Sequence, residues 1–200
     1  MEGINCELVD PRPQASSVLD AARFCLEQGW VPIPVRRATE EPLHWDWRCN
    51  RPTEDDLEEL FAGDCGIAVI NGKPSGGLVC VDLVCEEAAV LGSIMLPFTE
   101  VVTGDERRPR TRLWYVCPEM DATDFTDPVT GERYVTVHGN GSISLIGPSV
   151  GPSGSPHDAL DDCPAEVEAA ELSDSLEKIS NAVAYLRGHR FTGSPVKAAG

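Results

Sequence analysis

The chain has 200 residues, of which 42% are hydrophobic, and this length and composition suit one folded domain rather than a disordered segment. Its 16 basic and 33 acidic residues give a formal net charge of −17 at pH 7. Proteins that bind nucleic acid usually carry a basic surface, so this charge disfavours nucleic acid as a partner. No apolar run is long enough to span a bilayer and the first residues lack a secretory pattern, which predicts a cytoplasmic protein without a membrane partner.

Eight cysteines are present, but no Cys-x-x-Cys pair occurs and the closest two are Cys80 and Cys85. A chain of this size without a secretory pattern does not need a disulfide framework. The histidines are also too far apart in sequence to favour a zinc site. They are His44, His138, His157 and His189.

Two helices are predicted in the first third of the chain. The first follows a serine cap, Ser16 or Ser17, and ends at Gly29. The second begins after Thr53, which has the hydroxyl of a helix cap. Between them, residues 30–35 (WVPIPV) are predicted to be extended, and their prolines restrict the segment to the edge of a sheet or to a path outside it.

The middle of the chain is rich in strand patterns. Residues 65–70 and 78–83 are short apolar strands, and the second is apolar on both faces, which favours a central position in a sheet. Residues 86–96 have the pattern of a crossover helix. Residues 98–104 and 112–118 are predicted to be two further strands.

The last third contains loops, a hairpin pattern and one long helix pattern. Residues 121–132 are predicted to be acidic turn material, and residues 133–149 are predicted to form a hairpin around a Gly-Asn-Gly turn. Residues 164–188 have a helical apolar stripe, predicted to pack on the domain, with helix–helix association as the alternative. The stripe consists of Leu172, Leu176, Ile179, Val183 and Leu186.

The predicted fold is therefore α+β, with two helices, a mixed sheet and a closing helix. We divide the chain into an N-terminal extension (residues 1–15), a domain (16–162), a C-terminal amphipathic helix (163–188) and a flexible tail (189–200).

The order and spacing of these segments resemble the primase–polymerase (Prim-Pol) domain of bifunctional DNA primase/polymerases, in the archaeo-eukaryotic primase superfamily. The resemblance covers residues 17–160 and implies an RRM-like mixed sheet with an N-terminal αβ module. It also implies a DNA-directed nucleotidyltransferase that uses Mg²⁺ or Mn²⁺. The matching segments are AARFCLEQGWVPIPV, EPLHWDW, TEDDLEELFAGDCGIAVINGKPSGGLVCVDLV, VVTG and GPSVGPSG.

Active members of that family hold two metal ions between carboxylates, two of them on alternate residues of one strand, which point to the same face. In this chain Asp82 matches the first carboxylate, whereas Val84 stands where the second belongs. Arg112 stands at the position of the nucleotide-binding histidine, and Thr136 at that of the third acidic ligand. Ser149 matches a family position that contacts nucleotide.

Three functional hypotheses follow. The first is a Prim-Pol-like domain that has lost catalysis and binds nucleoside triphosphate or protein in DNA replication or on a mobile element, with protein partners or a helicase-type domain as its expected partners. Asp82 would then pair with Arg112, or Arg112 would bind an anion. The second is an active enzyme in which Asp82 is a catalytic metal ligand, with Glu86 folded back towards it. The third is an acidic scaffold that binds proteins or mimics nucleic acid.

Two further features of the sequence each allow two interpretations. The arginines at positions 107, 108, 110 and 112 suit phosphate binding or a solvated loop. Trp45 and Trp47 suit either base stacking or covering the edge of a core.

Overall fold

The computed structural model describes residues 17–49 and 51–188 and the backbone of residues 196–197. The predicted N-terminal extension and the rest of the predicted tail lie outside the described residues. The described helices are α1 (Val18–Glu27), α2 (Glu54–Leu60), α3 (Glu86–Met95) and α4 (Ala169–Leu186). The described strands are β1 (Val31–Arg36), β2 (Cys65–Ile70), β3 (Leu78–Leu83), β4 (Val102–Thr103), β5 (Arg112–Val116), β6 (Thr123–Thr126), β7 (Arg133–His138), β8 (Ile143–Leu145), β9 (Ala165–Glu166) and β10 (Val196–Lys197).

The first two helices begin at the predicted caps. The Ser17 hydroxyl accepts a hydrogen bond from the Asp20 N–H at 3.1 Å, and α1 is followed by Gly29 in a left-handed conformation (φ 75°). At the start of α2, the Asp56 carboxylate accepts from the N–H and the hydroxyl of Thr53, at 2.7 Å each. These contacts lie within a few residues of sequence, which is why the sequence predicts them.

The strands form two sheets. The small sheet has the order β1-β2-β8 and is antiparallel, so β1, with its two prolines, is an edge strand as predicted. The large sheet has the order β10-β6-β7-β3-β5-β4, and β9 pairs with β5 in parallel. The apolar strand β3 is central, as predicted, and α3 connects it to β4, which is parallel to it across β5.

Two predictions for the last third were wrong. Residues 121–132 contain β6, whose only buried residue is Phe125, so its apolar pattern is too weak to indicate a strand. Residues 133–149 do not form a hairpin, because β7 pairs with β3 and β6 in the large sheet whereas β8 pairs with β2 in the small sheet. The Gly-Asn-Gly turn changes the direction of the chain, but the free edge of β2 decides where β8 pairs.

The large sheet has a helix-covered face and a face directed at the small sheet. On β3, Val79, Val81 and Leu83 belong to the core formed with α3 and α4. Cys80, which points the other way, packs in the core formed with α1, α2 and β2. The sheet therefore separates two hydrophobic cores.

The C-terminal helix packs on the domain, as predicted. Four residues of the predicted stripe are at most 1% exposed, which shows that the stripe faces the core of the large sheet. Leu186, the last residue of α4, is 63% exposed and does not belong to the buried stripe. The buried residues are Leu172, Leu176, Ile179 and Val183.

Candidate functional site

A row of polar residues crosses the large sheet. Asp82 on β3 pairs in register with Arg112 on β5 and with Thr136 on β7. Arg112 in turn pairs with Thr103 on β4, and Thr136 with Asp124 on β6. Residues that are directly opposite on neighbouring strands project to the same face. These residues therefore form one line, called the polar row below, and the three positions aligned by the resemblance lie side by side in it.

The polar row faces the small sheet. Cys80 and Trp114 lie two residues from Asp82 and Arg112, on the same face of β3 and β5. They pack in one core with Ile67 and Val69 of β2. The Arg112 Nη1 donates a hydrogen bond to the Leu145 carbonyl of β8 at 2.7 Å. The row therefore lies in the cleft between the two sheets.

Arg108 is the ion-pair partner of Asp82. Its Nη1 lies 3.2 Å from Asp82 Oδ1 and its Nη2 3.5 Å from Oδ2. The side chain of Asp82 is 16% exposed and that of Arg108 is 42% exposed, so the pair lies at the mouth of the cleft. The expectation that Arg112 pairs with Asp82 was wrong, because the Arg112 guanidinium is directed towards β8.

The loop that carries Arg108 is organised by Asp105. Its Oδ1 accepts the N–H groups of Arg107 and Arg108, at 2.8 Å each. Burial opposes ionisation of Asp105, but the two N–H donors together with nearby positive charge, chiefly that of Arg108, outweigh it and lower the pKa of the carboxyl. The loop thus presents Arg108 to Asp82 from a backbone with its own hydrogen bonds.

Arg112 is buried and shares its Nη1 between two acceptors. This atom donates to Leu145 and lies 3.1 Å from Nδ1 of His157. Burial, followed by the charge of Arg112, lowers the pKa of His157 to about 4, so the imidazole is neutral near pH 7 and accepts at Nδ1. The Arg112 guanidinium also lies 5.5 Å from the centre of the Trp114 ring. The nucleotide-binding role of Arg112 stays a prediction.

Ser149 connects the loop after β8 to β2. Its hydroxyl donates to the Ile67 carbonyl at 2.8 Å and accepts from the Ile67 N–H at 2.6 Å. Gly66 passes close by, since a Cβ there would lie 3.1 Å from the Ser149 Oγ. The hydroxyl therefore holds two backbone groups of the cleft wall, and nucleotide contact by Ser149 stays a prediction.

A family model described as "bifunctional DNA primase/polymerase, N-terminal" matches residues 22–175, which begin in α1 and end in α4. The chain belongs to the Prim-Pol family. No curated protein matches it. The matched residues include the whole polar row and every strand of both sheets apart from β10. The cleft therefore belongs to the Prim-Pol domain itself.

The donors in the cleft do not suit the two-metal centre of active Prim-Pol domains. Asp82 is bound to Arg108, the neighbouring positions are the cation Arg112 and the neutral Thr136, and Val84 follows β3. Two divalent cations need several converging oxygen ligands. Among the described residues, no group of three His, Cys, Asp or Glu side chains converges to hold a metal ion.

Two other acidic residues near Asp82 are Asp124 on β6 and Glu86 at the start of α3. Asp124 lies beyond Thr136 in the polar row, and its Oδ1 accepts a hydrogen bond of 2.8 Å from the Thr136 hydroxyl. The sequence pattern does not indicate Asp124, because residues 121–132 have the composition of a turn and β6 has one buried residue, Phe125. Glu86, considered as a substitute ligand, opens α3 and is exposed.

Two histidines near the polar row were also missed. His138 pairs in register with Cys80, and burial, followed by the charge of Arg112, lowers the pKa of His138 to about 4. His157 is 45 residues from Arg112 in sequence, so no local pattern indicated their contact. For the ion pair of Asp82 with Arg108, the sequence signal was the arginine cluster, which contains Arg108.

The loop with Trp45 and Trp47 has a partly buried and an exposed tryptophan, and the arginine cluster has a buried and an exposed part. Trp47 packs against the core of the small sheet, with the Arg48 guanidinium 4.3 Å from its ring centre. Trp45 is 94% exposed. In the cluster, Arg112 is buried whereas Arg107 is exposed.

No helix in the described part of the chain is long and apolar enough to cross a membrane.

Proposed function

We propose that this Prim-Pol domain has lost catalysis and acts as a nucleoside triphosphate-binding domain in DNA replication or on a mobile element. The observation that carries the proposal is the ion pair between Arg108 and Asp82, at the carboxylate that active relatives use to hold metal. We further propose that the fold is of the archaeo-eukaryotic primase type. The support is the meeting of three aligned positions (Asp82, Arg112 and Thr136) in a cleft between two sheets.

Electrostatics supports the loss of catalysis. Arg112 next to Asp82 adds a permanent positive charge, which repels a divalent cation. Arg108 already neutralises the Asp82 carboxylate. A metal ion would have to displace Arg108 and then bind one carboxylate beside a cation, which is an unfavourable set of ligands for Mg²⁺.

The same arrangement supports metal-independent binding of phosphate groups. Arginine binds phosphate oxygens through paired N–H donors and keeps its charge at any physiological pH. Arg108 is partly exposed, and Arg107 next to it is exposed, so both are accessible to a triphosphate at the mouth of the cleft. The overall net charge of −17 disfavours long nucleic acid more than a single nucleotide.

Calorimetric titration with a deoxynucleoside triphosphate, with and without Mn²⁺, tests the proposal. We expect binding that does not need Mn²⁺ and that weakens at least several-fold in Arg108→Gln. Lys178→Gln is the control, because this exposed residue lies on α4, and α4 packs on the face of the large sheet opposite the polar row. Binding that needs Mn²⁺, is lost in Asp82→Ala and is accompanied by primer synthesis would instead establish an active nucleotidyltransferase.

A protein-binding scaffold is the second candidate function, favoured by the net charge of −17. Absence of nucleotide binding under both conditions would support it and reject the first proposal. The partner would then be sought among basic proteins or a helicase-type domain, since an acidic surface attracts a basic one.

A further inference from the structure

A groove lies beside α3, on the face of the large sheet opposite the polar row. Its volume is about 390 Å³, within the range of pockets that hold small ligands. Leu83 of β3 and Leu113 of β5 contribute to the lining, and both side chains belong to the helix-covered core. The residues used in the argument below are Leu83, Gly92, Ile94, Phe98, Arg110 and Leu113.

The walls of the groove are held by close packing. A Cβ at Gly92 would lie 2.5 Å from Cδ1 of Leu83, so a larger residue there would force the Leu83 side chain to move. The segment after α3 is fixed by the Tyr115 hydroxyl, which donates to the Pro97 carbonyl at 2.8 Å. The groove is therefore a formed feature of the fold.

Large apolar side chains at this surface are exposed to water. Val90 is 63% exposed, Ile94 76% and Phe98 82%, and they follow one another at intervals of four residues. Ile94 and Phe98 also line the groove. Exposed large apolar side chains beside a groove are typical of interaction sites.

Arg110 brings a positive charge to the same groove. It is exposed and forms no ion pair within the described part of the chain, whereas Arg108 in the same loop pairs with Asp82. Its φ of 57° is left-handed, an uncommon conformation for a residue other than glycine. The groove thus offers an apolar surface together with an arginine, which complements a ligand that is apolar and acidic.

We infer that this groove binds a segment of a partner protein that presents a bulky apolar side chain next to a carboxylate. The charge of Arg110 selects the carboxylate, and Ile94 and Phe98 contact the apolar side chain. A second copy of the chain is a poorer occupant, because two molecules of net charge −17 repel each other. The inference is independent of nucleotide binding, since the groove and the polar row lie on opposite faces of the sheet.

NMR titration of the ¹⁵N-labelled chain with N-acetylphenylalanine and with N-acetylphenylalaninamide tests the inference. We expect both compounds to shift the amide signals of Gly92, Ile94 and Leu113. The free acid should bind about two- to fivefold more tightly than the amide, as expected for one solvent-exposed ion pair. Arg110→Gln should remove this preference, whereas Arg107→Gln, in the same loop and exposed, should retain it.

Three results would overturn the inference. They are the absence of shifts in the groove, equal affinity for the acid and the amide in the unsubstituted chain, and equal effects of Arg107→Gln and Arg110→Gln. Sedimentation provides a separate check on the occupant. Concentration-dependent association that is lost in Phe98→Asp would assign the groove to a second copy and would also reject the inference.

Discussion

The guanidinium of Arg108 lies across both carboxylate oxygens of Asp82, with N–O distances of 3.2 and 3.5 Å. The two residues are 26 positions apart, and the loop between β4 and β5 brings them together. In an active Prim-Pol domain the carboxylate at this position would face a divalent cation. Here a side chain of the protein supplies the positive charge, and the first prediction tests the consequence.

Restoring carboxylates around Asp82 should create metal affinity. We expect the triple variant Arg108→Ala, Val84→Asp, Thr136→Asp to bind Mn²⁺ at least tenfold more tightly than the unsubstituted chain, because two carboxylates replace neutral side chains near Asp82 and the competing cation Arg108 is removed. Electron paramagnetic resonance of free Mn²⁺ measures the affinity. The control adds Asp82→Asn to the triple variant and should lose most of the gain. Equal affinity of the unsubstituted chain and the triple variant would show that Arg108 does not stand in for a metal ion.

Ser149→Ala should loosen the wall of the cleft. The substitution removes the acceptor of the Ile67 N–H and the donor to the Ile67 carbonyl, both buried, so we expect unfolding to become easier by about 1–3 kcal/mol. Amide hydrogen exchange should be faster at Ile67. Ser153→Ala, an exposed serine of the same loop, should leave that exchange rate unchanged. An unaltered Ile67 rate in Ser149→Ala would contradict the role given to this hydroxyl.

Stability should fall as the pH is lowered from about 6.5 towards 4. The folded state lowers the pKa of His138 and His157 to about 4, chiefly through burial, so the unfolded chain binds protons in this range that the folded chain does not. Their contribution to stability is complete above pH 6.5 and is lost as the pH falls through this window. Urea unfolding at several pH values measures the slope.

His157→Gln should reduce that slope by about half, because one of the two histidines remains. His44→Gln, at an exposed position, is the matched control and should leave the slope unaltered. A slope that does not respond to His157→Gln would show that His157 is not the titrating group.

Arg187→Ala should destabilise the packing of α4. Arg187 donates to both oxygens of Glu87 at 3.0 Å each, pairs with Glu132 at 3.0 Å, and lies 5.1 Å from the Tyr134 ring centre. We expect a loss of about 1 kcal/mol in urea unfolding, since the group is partly exposed, and a smaller loss at high salt. Lys178→Ala removes an exposed pair on the same helix and should change stability by less than about 0.5 kcal/mol. Equal effects of the two substitutions would contradict the prediction.

The local elements and the residue types of the site could be predicted from the sequence. The caps at Ser17 and Thr53 and the all-apolar pattern of β3 depend on neighbouring residues, so they were predictable. The sequence also shows directly that residue 82 is an aspartate and that residue 84, two positions later, is a valine without a carboxylate.

Which distant residues meet could not be predicted from the sequence, because it depends on tertiary packing. Pairing of β8 with β2, the ion pair of Asp82 with Arg108 and the contact of Arg112 with His157 depend on how separate strands and loops pack. Asp124 is in the polar row because β6 pairs with β7. The short segment that forms β6 has too few apolar residues to indicate a strand. Local periodicity and capping act over a few residues, whereas strand pairing and ion pairing across the fold depend on the burial of the whole chain.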